Sequence, residues 1–358
     1  LSENSLCETV KEPLEIISDL APNRPHRQVR GQVAKGNTMA AIAERYQRFA
    51  HAEAAGHSAL YETLAMHVAQ SPDTLAFLER LPPARQQPNL LFAALRLVAG
   101  TPGSAAEFDQ AIDQQASAIA EVMLTRTTQT NEPGRCAVLL PSLAQIAGPI
   151  ALIEVGASAG LCLLPDFYGY DWGRHTLIPP AQLGDIVPVF ECRASDNTPL
   201  PARYPEIIWR AGLDLNPLDL SNADDLAWLE ALVWPEHHDR LARLRKAIQI
   251  AQSERPRVEA GDLRQDLQTL IAQAPKDATI VVFHSAVLSY VADQSDRDAF
   301  AASMIDDTRV IWLSNEGQRT FPQSAAAAGP LHEDMFLLAV DGRPTAWTGP
   351  HGQEIRWI

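Results

Sequence analysis

Residues 151–164 read ALIEVGASAGLCLL, and their types and spacing can do chemistry in two ways. An apolar run ends in Glu154 and passes into Gly156, Ala157, Ser158, Ala159 and Gly160. That order predicts a buried strand, a tight turn and the start of a helix. In one chemistry the glycines bring backbone N–H groups and a helix N-terminus up against a nucleotide cofactor. In the other, Gly156 to Gly160 is a G-x-S-x-G elbow with Ser158 as the nucleophile.

The elements around this stretch bear on the choice. From Met39 to about residue 148 the apolar spacing is helical. Ile42, Tyr46 and Phe49 share a face, as do Leu60, Leu64 and Val68, and as do Leu91, Leu95 and Val98. Ser58 and Ser71-Pro72 read as helix starts, Gly100 as a stop, and Ser104 with Glu107 as a capping box. Beyond residue 148, apolar strands alternate with helices: 207–213, 257–262, 279–283 and 310–313. Asp341-Gly342 forms a turn between two late strands, and Glu354–Ile358 supplies the last. Residues 165–203, with prolines, aromatics and one alternating run at Ile186–Cys192, read as a β-rich or irregular insertion rather than a plain crossover helix. The expected fold is therefore α/β: a doubly wound, mostly parallel, Rossmann-like sheet with an antiparallel C-terminal edge, preceded by an all-α N-terminal domain. The expected divisions are a poorly packed leader at 1–38, a helical domain at 39–148 and the sheet domain at 149–358. Ala325–Ala328 reads as a loop.

An esterase-type elbow has several strands before it, whereas the hundred residues before Ser158 are helical. The order Ser158, Asp214 or Asp262, then His284 or His332 satisfies a triad on paper but is too loose to select one. A dinucleotide fingerprint needs glycine where Ser158 stands. Other chemistry-bearing residues fall at strand ends: Asp214, Asp262 followed by Leu263, and His284, whose ordinary pKa suits a general base. A histidine hydrogen-bonded in the wall is the other reading of His284. Asn131, Glu132 and Arg135 precede the first strand, with Arg135 suited to a carboxylate or to a salt bridge between domains. Tyr290, Trp234 and Trp312 read as core aromatics, and Arg240, Arg243, Arg245 and Lys246 as a solvated basic face.

Composition narrows the partners. A net charge of −15 over 358 residues argues against nucleic acid and anionic membranes. Four cysteines, Cys7, Cys136, Cys162 and Cys192, lack metal-ligand or disulfide spacing and read as reduced thiols. No apolar run is long enough to span a bilayer, so a cytoplasmic protein is expected. No metal is expected.

The run E-V-G-x-x-x-G resembles motif I of the class I S-adenosylmethionine-dependent methyltransferases, with Asp214 and Gly261-Asp262 closing the next strands. The combination EVGASAGL, RAGLDLNPLDL, WLEALVWPEH, GDL and VVFHSAVLSYV, with TNEPGRC ahead of it, resembles a bacterial family, domain of unknown function 2332. The methyltransferase resemblance implies S-adenosylmethionine as cofactor and Glu154, Gly156, Ala157, Ser158 and Gly160 around it. It further implies Asp214 on the ribose hydroxyls and Asp262, with Leu263 beside it, at the adenine. Asn131, Glu132 and Arg135, just ahead of the first strand, are read as folding over the methionine carboxylate of such a cofactor, with Arg135 as its bidentate partner. If Ile186–Cys192 were the second strand, Asp196 would take the ribose instead. The expected acceptor is a small molecule, with His284 as base. The rival readings are a non-catalytic binding or sensor protein of the same fold, a nicotinamide dehydrogenase and a serine hydrolase. Cys162, where asparagine is expected in the family, is a departure within the motif.

Overall fold

The computed structural model describes residues 32–129, 131–179, 184, 186–332 and 334–358, with side chains from Thr38 onward. Residues 1–31, most of the expected leader, and Cys7 lie outside the described residues. The chain divides into two compact units, one running through Gln129 and including Ala227–His238, the other formed by Thr130–Leu226 and Asp239–Ile358. The division thus falls before the NEPGRC stretch, and a short later segment joins the helical unit.

The first unit contains α1 (Gln32–Phe49), α2 (Ala59–Gln70), α3 (Pro72–Glu79), α4 (Pro88–Ala99) and α5 (Ala105–Thr125). Its caps follow the sequence. Ser58 Oγ accepts from Tyr61 N, Ser71 Oγ from Thr74 N and Ser104 Oγ from Glu107 N. The Glu107 carboxylate returns to Gly103 N rather than to the cap residue, a box displaced by one position. The predicted stripe residues Ile42, Tyr46, Phe49, Leu64, Val68, Leu91 and Leu95 are all in its core, joined by Trp228 and packed by Trp234. Arg96 donates to the carbonyls of Ala231 and Val233, and Glu236 accepts from Ser58 Oγ and Leu60 N. Those bonds hold Ala227–His238 in this unit.

The second unit is a nine-stranded sheet in the order β5-β12-β11-β10-β9-β8-β1-β6-β7. Its strands are β1 (Ile150–Val155), β5 (Arg193–Ala194), β6 (Ile207–Asp214), β7 (Arg257–Ala260), β8 (Thr279–Ser285), β9 (Val310–Gly317), β10 (Phe336–Val340), β11 (Arg343–Thr348) and β12 (Glu354–Trp357). Strands β7, β6, β1, β8 and β9 are parallel neighbours. Strands β9 to β12 then run as an antiparallel meander, so the antiparallel edge is three strands broad. Asp341 and Gly342 both have positive φ, as the tight turn between β10 and β11 requires. The protein is thus mixed α/β, with a large, mostly parallel sheet and a helical N-terminal region.

β1 is buried along its whole length. On one face, Ile153, Val155, Ala211, Leu213, Val282 and Trp312 pack with residues of α9 (Leu267–Ile271) and α10 (Gln294–Asp306). Because strand side chains alternate, Glu154 points to the opposite face. Helix α6 (Cys136–Leu143), all of whose residues are buried, leads into β1. Helices α7 (Ala223–Ala231) and α8 (His238–Glu254) lie between β6 and β7 in the chain.

The segment between β1 and β6 departs most from expectation. Among the described residues, no α-helix follows the glycine turn before β6. Two 3₁₀ turns, Leu161–Leu163 and Pro165–Phe167, occupy its place, because Pro165 cannot donate to a continuing helix. The chain then forms β2 (Gly169–Asp171), β3 (Thr176–Leu177) and β4 (Val189–Glu191), a separate three-stranded sheet, before β5 pairs with β12 at the far edge of the main sheet. The insertion is therefore β-rich, as its alternating run predicts, and Ile186–Cys192 is not the second strand of the main sheet. Arg210 of β6 anchors it, with a two-pronged bond to Asp166 at 2.8 and 2.9 Å and a third to Leu163 O at 2.8 Å. Residues 325–327 are helical rather than looped, in α11 (Pro322–Ala327), where Pro322 starts a run of good helix formers.

Gly352 and Gly134 bring two distant turns into backbone contact. A Cβ on Gly352, whose φ is +82°, would stand 2.8 Å from Arg135 N and closer still to the Gly134 carbonyl. Gly352→Ala is therefore expected to lower unfolding free energy by about 2 kcal/mol or more, read from chemical denaturation. Gly173→Ala, also at positive φ but facing open space, should cost less.

Candidate functional site

The strand order reverses direction at β1: the chain moves to β6 and β7 on one side, then returns to β8 and β9 on the other. In open parallel sheets, ligands bind at the carboxyl ends of the strands at such a point. Glu154, the glycine turn, Asp214, Asp262 and the turn after β8 all lie along that edge.

The glycine turn is held from several directions, and its amides are used within the protein. Gly156 N and Ala157 N donate to Leu213 O at 2.7 and 3.2 Å, and Gly160 N donates to Ala157 O at 2.7 Å. Ser158 N donates to Asp214 Oδ2 at 2.8 Å, and Ala159 N to Asn131 Oδ1 at 3.0 Å. Asn131 Nδ2 also donates to Ser158 Oγ at 2.5 Å. Ser158 has φ +49°, a left-handed conformation costing about 1 kcal/mol, and these bonds hold it there. The structure thus brings together Asn131, Ser158 and Asp214 as parts of one latch. The expected helix N-terminus is missing from this latch, and its amides form no anion cradle. Gly156 and Gly160 instead admit close packing: a Cβ on Gly156 would meet Val287 Cγ1 at 2.7 Å, and one on Gly160 would meet Val258 Cγ2 at 2.9 Å.

Ser158 Oγ faces an amide, which cannot take its proton, so the bonds around it do not form a Ser-His pair. Asp214 Oδ1 accepts from Asn216 N at 2.8 Å, which joins the turn after β6 to the latch. Asp196 lies two residues beyond β5, at the far edge of the sheet, and so away from the second parallel strand. Gly261 N donates to Asp214 O, placing Asp262 beside Asp214 at the end of the next strand. Asp262 is paired with Arg264, whose side-chain hydrogen bond, and then its backbone one, hold the carboxyl below its ordinary value. Leu263 packs on the core of the α9 face.

Glu154 is 6% exposed, and its Oε2 accepts no hydrogen bond among the described residues. Burial, with Cys162 and Asp214 nearby, holds this carboxyl well above the usual carboxylate range, against the opposing pull of Arg135. Cys162 is buried, donates to Glu132 O at 3.4 Å, and is pushed up by its hydrogen bond with Cys136 and by burial. Cys136, Cys162 and Cys192 are all free and buried, as their spacing predicts.

Arg135 donates through Nε to Pro350 O at 2.8 Å and through Nη1 to Ser285 O at 2.9 Å. Those partners belong to the sheet unit, so Arg135 ties its own unit together. Glu132 accepts from Gly134 N at 3.0 Å and from Arg240 Nε. Burial pushes the Glu132 carboxyl up, but Arg240 and His351 outweigh it and hold the group below its ordinary value. Arg240 is therefore a largely covered ion-pair partner rather than part of a solvated run. Tyr290 differs from expectation too: it is 66% exposed rather than in the core.

His284 is fully buried. The Trp312 indole N–H donates to Nε2 at 3.0 Å, so the imidazole proton sits on Nδ1 and is donated to Glu316 Oε1 at 2.7 Å. Both ring nitrogens are used, and neither offers a lone pair to an acceptor substrate. This geometry corrects the general-base reading and matches the wall histidine. Glu316 and Asn315 lie buried at the end of β9, and nothing in the spacing along the chain marks them as a site. The N-E-G triplet at 315–317 is their only local signal. Among the described residues no cluster of His, Cys, Asp and Glu suits a metal ion, and no helix is long and apolar enough to cross a membrane.

Two outcomes follow from the electrostatics. Because folding raises the Glu154 pKa, the folded state binds the extra proton, and stability falls as pH rises above about 4.5 toward the folded value. Glu154→Gln should remove that slope and be at least as stable as the native chain at pH 7, read by denaturation at several pH values. Glu132 has the opposite sign: its contribution is present above about pH 4.5 and is lost as pH falls through the lower, folded value. Arg240→Met should cost roughly 3 kcal/mol at pH 7, with the deficit shrinking in acid as Glu132 takes a proton.

A family model described as "Uncharacterized protein conserved in bacteria (DUF2332)" matches residues 43–357. No curated protein and no solved structure matches the chain. With the match running from within α1 to the last residue of β12, the chain belongs to the DUF2332 family.

Proposed function

We propose that the protein is an S-adenosylmethionine-dependent methyltransferase acting on a small-molecule acceptor. The observation that carries this reading is the row of three acids, Glu154, Asp214 and Asp262, at the carboxyl ends of three adjacent parallel strands at the point where strand order reverses. Acids at those strand ends are the ones the methyltransferase resemblance assigns to the cofactor. The residues present fit such a group: Glu154 Oε2 is buried without a partner among the described residues, and a backbone bond from Gly261 N to Asp214 O ties the turn that carries Asp262 to the end of β6.

The bound cofactor would supply a methyl group on a sulfonium, open to in-line displacement. The chain's own part is binding and orientation. Because the glycine-turn amides are already used, recognition falls to side chains: Asp214 toward the ribose, Asp262 and Leu263 toward the adenine, and Asn131 and Arg135 toward the methionine end. His284 shapes the wall behind the turn and moves no proton. Its sealing favours a second reading, a protein of the same architecture that binds the cofactor without turnover. Activity toward a metabolite library separates the two.

S-adenosylhomocysteine at a hundred times its dissociation constant should stabilise the protein by about 2.7 kcal/mol, whereas NAD should not. Absence of any shift with S-adenosylmethionine or S-adenosylhomocysteine at millimolar concentration would sink this proposal. Asp262→Ala should weaken S-adenosylhomocysteine about tenfold, the worth of one charge-assisted hydrogen bond, while leaving unliganded stability nearly unchanged.

A further inference from the structure

The turn after β8 is held by one buried carboxylate that the proposed chemistry does not use. Glu316 Oε1 accepts three hydrogen bonds: from His284 Nδ1 at 2.7 Å, from Val287 N at 2.9 Å and from Leu288 N at 3.1 Å. Between His284 and Val287, Ala286 is forced to φ +57°, with its N–H on Asn315 O at 3.1 Å. This left-handed step turns Val287 back toward β1, where its methyl groups fill the space a side chain on Gly156 would need. Glu316 is 2% exposed, and the imidazole and the two amides are the donors that meet its Oε1 in the interior.

We propose that Glu316 is a positioning residue: it clamps the turn after β8 so that Val287 closes on Gly156, and so sets the shape of the glycine turn at the candidate site. The chain of contacts runs from the end of β9, through the end of β8, to the end of β1. It explains why a fully buried acid, a fully buried histidine and a left-handed alanine occur within one hydrogen-bonded group. It also assigns Gly156 a partner: the glycine is there to receive Val287. None of this depends on which ligand the site takes, so it stands or falls separately from the methyltransferase reading.

Hydrogen exchange of the full chain, read by mass spectrometry without ligand, tests the clamp. Glu316→Ala removes the acceptor and should speed exchange about tenfold at Val287–Leu288 and also at Gly156–Gly160, with peptides from α1–α5 unchanged. Glu316→Gln keeps an acceptor oxygen at the same reach and should restore near-native exchange in both turns. If Glu316→Ala does not fold, Glu316→Asp, whose carboxylate stops one carbon short of the amides, should give the same paired increase. Gly156→Ala supplies the reciprocal test: by displacing Val287 it should raise exchange at Val287–Leu288. A rise confined to Val287–Leu288, with Gly156–Gly160 unaffected, would overturn the proposal. So would a uniform rise across the whole sheet, which would mark a purely structural role.

Discussion

Ending a central strand inside a protein leaves backbone N–H groups that water cannot reach, and each needs an acceptor. At the end of β1 those acceptors come from elsewhere in the chain. Asp214 and Leu213 reach in from β6, and Asn131 from the segment before α6. The turn from Gly156 to Gly160 keeps its shape, including the left-handed Ser158, because these groups over-determine it. Much else in the sheet unit is arranged to bring those acceptors there. Gly134 and Gly352 meet at the backbone, Arg135 grips the carbonyls of Pro350 and Ser285, and Arg240 holds Glu132.

The same constraint gathers charge in the interior. Glu132 is compensated by arginine and stays low, whereas Glu154 is driven toward its neutral form by burial with Cys162 and Asp214 nearby, against the pull of Arg135. Two buried carboxyls of one unit are thus tuned in opposite directions by their surroundings. Separated pKa values at a strand-end crevice are a physical signature of functional sites, though buried ion pairs in a framework produce them as well.

Glu154, the glycines, Asp214 and Asp262 were legible in the sequence because an acid or glycine that closes an apolar run marks the end of a buried strand. His284 was legible as a strand-end residue by the same logic, yet its role was not. A ring nitrogen's availability depends on what faces it, and Trp312 and Glu316 lie 28 and 32 residues away in the chain. Arg240 looked like one of four charges on a helix for a similar reason, since its partner Glu132 is more than a hundred residues earlier.

By itself the sequence determined the elements whose signals are local. Serine caps, a proline at a first helical position, apolar stripes and the Asp341-Gly342 turn act within a few residues, so the helical unit and the strand series follow from their spacing. Only the tertiary structure decided that the glycine turn is backed by 3₁₀ turns instead of a helix, and that the insertion carries a strand to the far edge of the sheet. The same holds for the joining of Ala227–His238 to the helical unit. Those outcomes depend on which distant groups become neighbours on burial. Hydrogen bonds and charges respond to that proximity in space, and no spacing along the chain encodes it.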